Sequence, residues 1–170
     1  MRKLLFFFLI LASTLNAQES ANSYHHELRL NALNLVLGNP ELDYEYLLNE
    51  NSGAGIYASI NVDNNKIFPY NFMAGPYYRL YVGSRYASGF FFEGTLSVIG
   101  EKVDKYDPNT GSYSPYDKIG FGPSVAIGGK FVIRKSVVFE FFGGIGRNFS
   151  ADEFSADAFP RIGISIGKRF

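Results

Sequence analysis

Large apolar residues alternate with small or polar residues in eight stretches of the chain beyond Tyr24. A period of two is typical of β-strands with one apolar face, because successive strand side chains point to opposite sides. The stretches run over Leu28–Leu37, Glu41–Leu48, Ala54–Val62, Asn71–Val82, Phe90–Val98, Ile119–Ile133, Val137–Gly146 and Arg161–Phe170. The first changes phase part-way, which predicts a β-bulge near Ala32. The pattern as a whole predicts an all-β fold of eight strands.

The composition of the two faces indicates which one points outward. A soluble barrel would carry Lys, Glu, Thr and Gln on its wet face, but here the less apolar face is mostly Gly, Ser and Ala. Small residues suit the crowded interior of a narrow barrel, whereas Phe, Ile, Leu and Val suit hydrocarbon. Tyrosines at strand ends (Tyr44, Tyr46 and Tyr78) are typical of an interfacial girdle. We therefore expect an eight-stranded antiparallel transmembrane β-barrel in up-and-down meander order, with a soluble lipocalin-like barrel as the alternative.

The connections between stretches alternate in length. Those after the second, fourth and sixth are short (Asn49–Gly53, Gly83–Ser88 and Arg134–Ser136), and those after the third, fifth and seventh are longer or more polar (Asp63–Pro69, Glu101–Asp117 and Asn148–Pro160). Short periplasmic turns and longer extracellular loops are the rule in outer-membrane barrels. The first connection, Gly38-Asn39-Pro40, is an exception, because it is short although it lies at the end with the longer connections. This arrangement places both chain ends in the periplasm.

The N-terminus carries the pattern of a secretory signal. A basic start, Met1-Arg2-Lys3, precedes an apolar run over Leu4–Leu15 and a small residue at Ala17. That order predicts a signal peptide over residues 1–17, cleaved after Ala17, and a barrel domain over residues 18–170. A membrane anchor is the alternative, but the run is too short to span a bilayer as a helix. Export from the cytoplasm and location in the cell outer membrane follow.

Composition narrows the function classes. The chain has 16 basic and 16 acidic residues, which argues against a nucleic-acid partner. It has no cysteine, so it offers neither a disulfide framework nor a thiolate metal site. No cofactor is expected.

Three segments resemble known barrels. The mature chain resembles the small eight-stranded OmpA/OmpX-like outer-membrane proteins, and its opening HELRLNALNLVL and ELDYEYLLNE resemble a bacterial barrel family whose function is not characterised. The end, FPRIGISIGKRF, extends the match to the last residue. The resemblance implies outer-membrane lipid and the barrel assembly machinery as partners, with Phe170 as the assembly signal. The second aromatic usual in that signal is replaced by Lys168.

Charged residues on the inward face predict ion pairs. Folding the fourth and fifth stretches about their turn places Arg79 opposite Glu93, and folding the sixth and seventh places Lys130 opposite Glu140. Glu45, Arg29 and Arg169 fall in the same layer near the periplasmic end. Unpaired charges in a narrow lumen would be costly, so we expect these groups to pair. A salt-bridge plug is favoured over a small gated pore, because side chains fill an eight-stranded barrel.

Chemistry beyond the lumen has weaker signals. His25 and His26, with Ser23 nearby, would supply the base of a lipid-modifying enzyme, but they lie at the solvated start of the barrel. Neighbouring strand residues point to opposite faces, so the pair is a poor metal site. The Glu101–Asp117 connection interleaves acids with Tyr106, Tyr113 and Tyr116, a composition typical of contact loops. We therefore expect a non-enzymatic barrel, structural or interacting with an extracellular ligand through its loops.

Overall fold

The eight strands close into one antiparallel barrel in simple meander order. The computed structural model describes residues 24–62, 68, 70–107, 112–134, 136–151 and 157–170. The strands are β1 His26–Asn31, β2 Glu41–Asn49, β3 Ser52–Ile60, β4 Phe72–Val82, β5 Gly89–Asp107, β6 Ser112–Ile133, β7 Val137–Arg147 and β8 Ala158–Arg169. Pairing of β1 with β8 closes the ring. The predicted fold class and strand order are confirmed.

The two ends of the barrel differ in their connections. One end of the barrel carries His26, Phe170 and the β2–β3, β4–β5 and β6–β7 connections, and we call it the terminal end. We call the opposite end the loop end. The short connections predicted at the terminal end are confirmed, since only two residues separate β2 from β3. The predicted signal peptide, residues 1–17, lies outside the described residues. No described helix is long and apolar enough to cross a membrane.

The strands present apolar side chains outward and bury the rest. Along β7, Phe139, Phe141 and Ile145 are 40, 49 and 61 % exposed, whereas the alternating residues Val138 and Glu140 are fully buried. The same alternation recurs in the burial patterns of β2 and β4. The predicted assignment of the apolar face to the outside is therefore correct.

The predicted bulge near Ala32 is wrong, because the first strand ends there in a short helix. Helix α1 spans Ala32–Val36, and the Asn31 side chain caps it by accepting a hydrogen bond from the Asn34 backbone N–H at 3.1 Å. Gly38 follows with a φ of 77°. An Asn cap and a left-handed Gly just past the last turn are ordinary helix boundary signals. The phase change of the leucines thus reflects a change from strand to helix.

The predicted loop Glu101–Asp117 is also wrong, because most of it is strand. β5 pairs with β4 only as far as Gly100, and β6 pairs with β7 only from Ser124, yet β5 and β6 pair with each other out to Asp107 and Ser112. The run of turn-forming Asp, Pro, Asn and Gly lies in its middle, at residues 107–111, while Val and Tyr on either side favour strands. Beyond the barrel wall, a two-stranded ribbon therefore projects from the loop end.

Apolar clusters fill the lumen toward each end. The loop-end cluster contains Tyr57, Phe68, Tyr70, Met73, Tyr77, Ile99 and Phe159, with Leu37 packed against it. The terminal-end cluster contains Leu47, Tyr81, Ala87, Phe91, Ala126 and Phe142, with Tyr86 against it. The Arg161 guanidinium lies 4.1 Å from the ring centroid of Tyr57 and 5.2 Å from that of Phe142, so it joins the two clusters.

Candidate functional site

Eleven charged side chains form a buried network inside the barrel. Each is at most 6 % exposed, and together they come from every strand except the charge-free β3. They are Glu27, Arg29, Glu41, Asp43, Glu45, Arg79, Glu93, Lys130, Glu140, Arg161 and Arg169. All of them lie on the inward phase of their strands, so the alternation that turns the apolar residues outward also concentrates these charges inside.

Glu45 is the most highly connected member. Its Oε2 atom lies 2.6 Å from Arg29 Nη1, 3.0 Å from Lys130 Nζ and 3.2 Å from Arg79 Nη1. Tyr81 donates its hydroxyl proton to the other carboxylate oxygen. A Cβ added at Gly53, an inward residue of β3 that is opposite Leu47 in register, would lie 2.1 Å from that oxygen. The small residues of the inward face therefore make room for the charged ones.

The predicted Arg79–Glu93 pair is present. Arg79 Nη2 and Nε lie 2.6 and 2.7 Å from Glu93 Oε2, across the register pair of β4 and β5. The same guanidinium reaches Glu140 Oε2 at 2.8 Å on the far side of the lumen. It also lies over the Phe91 ring, 4.4 Å from the centroid. Arg79 thus links three walls of the barrel.

The predicted Lys130–Glu140 ion pair is wrong, although the register behind it is right. The two residues are opposite each other on β6 and β7. Lys130 Nζ instead lies 2.7 Å from Glu27 and 3.0 Å from Glu45, while Glu140 is held by Arg79 and by Arg29 Nε at 3.3 Å. The lumen is narrow enough for long side chains to cross it, so partners on the opposite wall compete with cross-strand neighbours.

The network extends further than the predicted layer. Arg29 and Arg169 each form an ion pair with Glu27 at 2.6 Å. Both were predicted to lie in the same layer as Glu45, and these contacts agree with that prediction. Towards the loop end, Arg161 lies 3.1 Å from Glu93 and 2.8 Å from Glu41. A continuous chain of ion pairs therefore runs from Arg169 at the terminal end to Glu41 near the loop end.

Sequence reasoning missed four members of the network: Glu27, Glu41, Asp43 and Arg161. The signal was present, because Glu41, Asp43 and Arg161 share the inward phase of the second and eighth stretches, and Glu27 lies two residues before Arg29. Following the inward phase along the whole length of these strands would have found them.

Asp43 differs from the other members. It is fully buried, and neither carboxylate oxygen has a hydrogen-bond partner among the described residues. Arg29 lies opposite it in register, but the Arg29 guanidinium is directed to Glu27, Glu45 and the Tyr77 hydroxyl. Asp43 therefore lies inside the network without the hydrogen bonds that hold the other carboxylates.

His25 and His26 lie at the rim of the terminal end. His25 Nδ1 is 3.2 Å from the Leu47 carbonyl and 3.1 Å from the Tyr86 hydroxyl, and His26 Nδ1 is 2.7 Å from the Tyr44 hydroxyl. Ser23, the nucleophile considered with them, lies outside the described residues. The described part of the chain contains no group of three or more His, Cys, Asp or Glu side chains placed to hold a metal ion.

Phe170 closes the seam between the first and last strands. Its N–H donates to the His26 carbonyl at 2.8 Å and its carbonyl accepts from the His26 N–H at 3.0 Å. The two rings stack with centroids 5.8 Å apart and planes 18° from parallel. The terminal residue is therefore part of the barrel itself.

No protein-family model, curated protein or solved structure matches this chain. Inside the barrel, every charged member of the network except Asp43 forms an ion pair with another member. Among the described residues, the outer wall presents a few charges near its two ends.

Proposed function

We propose that this protein is an integral outer-membrane β-barrel with a sealed lumen, and that it acts structurally or by contact through its loop end. The observation that carries the proposal is the reversed distribution of polarity. Side chains such as Ile56, Leu96, Val125 and Ile145 are 55–65 % exposed on the wall, while the charged network is buried. The apolar area exposed on this wall is larger than the scattered apolar exposure of soluble proteins, and it suits contact with hydrocarbon.

The terminal rim supports a membrane location. Tyr44, Tyr46, His26 and Phe170 form a contiguous aromatic patch, in which the His26 ring centroid lies 5.2 Å from that of Tyr46 and 6.0 Å from that of Tyr44. Amphipathic rings gather at the level of lipid headgroups, where their polar atoms meet water. The rim would therefore mark the interface of one leaflet.

The packing of the lumen favours a plug over a gated pore. Arg169 donates to the backbone carbonyls of Tyr86 and Ala87 at 3.1 and 2.8 Å, which holds the β4–β5 turn over the terminal end. Ala87 is fully buried there within the terminal-end cluster. We propose that the barrel does not conduct ions, because the ion-pair chain and both apolar clusters occupy its axis.

The projecting ribbon is the surface best suited to contact. Glu101–Asp107 and Ser112–Lys118 pair only with each other beyond the barrel wall, so the ribbon extends past the membrane-facing band. Its sequence brings Tyr106 opposite Tyr113 in register. Rigid strands hold a projecting ribbon in place for contact, and tyrosine is a residue type that offers a large contact area at low entropic cost. An extracellular ligand would therefore meet this ribbon first.

Fractionation with a folding-sensitive gel tests the membrane proposal. The protein should remain with outer membranes after alkaline extraction and should migrate faster unheated than boiled, because a closed barrel leaves no strand edge for detergent to open. A soluble periplasmic protein should serve as the control that alkaline extraction releases. Recovery of this protein in the soluble fraction would contradict the proposal.

Phe170 has a second expected role as a signal for the barrel assembly machinery. Deleting Phe170 should lower surface levels while leaving folding in vitro largely intact. The control is His26→Ala, which removes the same ring stacking but keeps the terminal aromatic residue. If the machinery reads Phe170, only the deletion reduces surface levels, as measured by protease accessibility on intact cells. Equal losses in the two variants would assign Phe170 a packing role alone.

A further inference from the structure

Two glycines interrupt the apolar outer wall at mid-height. Gly94 on β5 and Gly143 on β7 belong to the outward phase, and a Cβ added at either would meet no atom within 4 Å. They flank β6, where Val125 is opposite Gly94 and Ile127 is opposite Gly143. The wall therefore has a depression beside each of these two large side chains.

The depression at Gly143 continues as a groove towards the loop end. A cavity of about 380 Å³ is lined by Phe92, Val125, Ile127, Gly143 and Ile145, among others. A second cavity of about 460 Å³ shares Val125 and Ile145 and continues to Arg147, Asp157 and Ala158. At the rise of a β-strand, the four steps from Gly143 to Arg147 span about 13 Å.

Arg147 is a cation placed at the loop-end limit of this groove. It is the last residue of β7 and it is exposed. Among the described residues it has no ion pair or hydrogen bond from its side chain, unlike the arginines of the lumen. Asp157, also exposed, is the acid at the same end. One free guanidinium above an apolar groove complements an anion that carries a hydrocarbon chain.

We propose that this groove binds one lipid whose phosphate headgroup carries a net negative charge. The phosphate lies at Arg147, and one acyl chain lies along Ile145 and over Gly143. This inference rests on the proposed membrane location. A second copy of the chain is the competing occupant. If the exposed Asp157 of a second copy faced Arg147, Asp157→Asn would weaken that contact, whereas it should strengthen binding of an anionic lipid.

Native mass spectrometry of the protein purified in non-ionic detergent tests the site. The probes are phosphatidylglycerol and phosphatidylcholine with identical acyl chains, added separately, with glycerol phosphate as a chain-free competitor. The variants are Arg147→Gln, Asp157→Asn and Gly143→Leu. Matched controls are Arg134→Gln, at an exposed arginine of the terminal end, and Ala58→Leu, which adds comparable bulk at an outward-facing position of β3.

The expected result is one phosphatidylglycerol bound about fivefold more tightly than phosphatidylcholine, the size expected of one basic residue at a membrane surface. Arg147→Gln should abolish that preference and Asp157→Asn should increase it. Gly143→Leu should weaken binding of both lipids, while Arg134→Gln and Ala58→Leu should leave binding unchanged.

Three results would overturn the lipid site. They are an absent headgroup preference in the parent protein, competition by glycerol phosphate as strong as that of the lipid, and a dimer that Gly143→Leu dissociates. None of these results would contradict the membrane proposal, because a barrel without a specific lipid still fractionates with the outer membrane. Conversely, recovery as a soluble protein in the fractionation experiment would remove the membrane proposal before any lipid is added.

Discussion

The lumen and the outer wall are built from the same strands but follow opposite rules. On β7, Glu140 is fully buried among two arginines, and the next residue, Phe141, is 49 % exposed. In the lumen ten of the eleven charged side chains of the network form ion pairs with one another, so the identity of these residues is constrained by hydrogen bonds and charge. On the wall the apolar side chains contact few partners, so their energy depends on the surrounding medium. The same substitution should therefore have opposite consequences in the two regions.

The largest effect is expected from Glu45→Gln in the lumen. The substitution removes the negative charge that Arg29, Arg79 and Lys130 share, so three buried cations each lose one of their ion pairs. Breaking a buried ion pair by removing one partner costs about 3–5 kcal/mol of the free energy of unfolding. Urea unfolding of the barrel refolded in lipid vesicles measures the loss. The control is the exposed Glu50→Gln at the same end, and equal stability of the two variants would contradict a stabilising network.

The next effect is expected from Leu96→Arg on the wall. Leu96 is 55 % exposed in the middle of the outward face of β5. In a bilayer, an arginine at mid-depth costs about 2–4 kcal/mol, and near the interface about 0–1 kcal/mol. Val82→Arg, at the terminal end of β4, is the interfacial control. A soluble barrel would tolerate both substitutions equally, so equal unfolding free energies in vesicles would contradict the membrane assignment of the wall.

A smaller effect distinguishes cross-lumen from cross-strand pairing. In double-mutant cycles, Lys130→Met should couple to Glu45→Gln by about 0.5–3 kcal/mol, the range for residues in direct contact. Its coupling to Glu140→Gln should be markedly smaller, because Glu140 is bound by Arg29 and Arg79. The free energy of unfolding of all single and double variants provides both cycles. A coupling energy larger for Glu140 than for Glu45 would show that Lys130 pairs with its cross-strand neighbour instead.

The smallest effect is expected from Asp43→Asn. Since neither Asp43 oxygen has a hydrogen-bond partner among the described residues, its carboxylate contributes no specific contact to lose. Removing a poorly satisfied buried charge should change the free energy of unfolding by less than about 1 kcal/mol, or increase it. Glu41→Gln, two residues away on the same strand, should be clearly destabilising because it loses the Arg161 ion pair at 2.8 Å. Equal losses at both positions would show that Asp43 is bound as tightly as Glu41.

Sequence predicted the features that depend on strand phase. Alternation alone assigns a residue such as Phe139 to the wall and Glu140 to the lumen, and turn symmetry is enough to place Arg79 opposite Glu93. The Lys130 partners could not be found this way, because they depend on the distance across the lumen rather than along the sheet. The sequence did not predict helix α1, because the spacing of its leucines is compatible with two successive strand phases as well as with a helical turn. The projecting ribbon was missed because polar strands that pair only with each other lack the apolar alternation of a wall.

Site-directed spin labelling tests most directly the claim that the wall faces hydrocarbon. The chain contains no cysteine, so single-cysteine variants accept one nitroxide each. Labels at Leu96→Cys and Ile127→Cys in vesicles should be relaxed more by oxygen, which concentrates in hydrocarbon, than by a water-soluble nickel chelate. A label at the exposed rim residue Glu50→Cys should show the reverse. If the nickel chelate relaxes the Leu96 and Ile127 labels as strongly as the Glu50 label, the wall faces water and the account is contradicted.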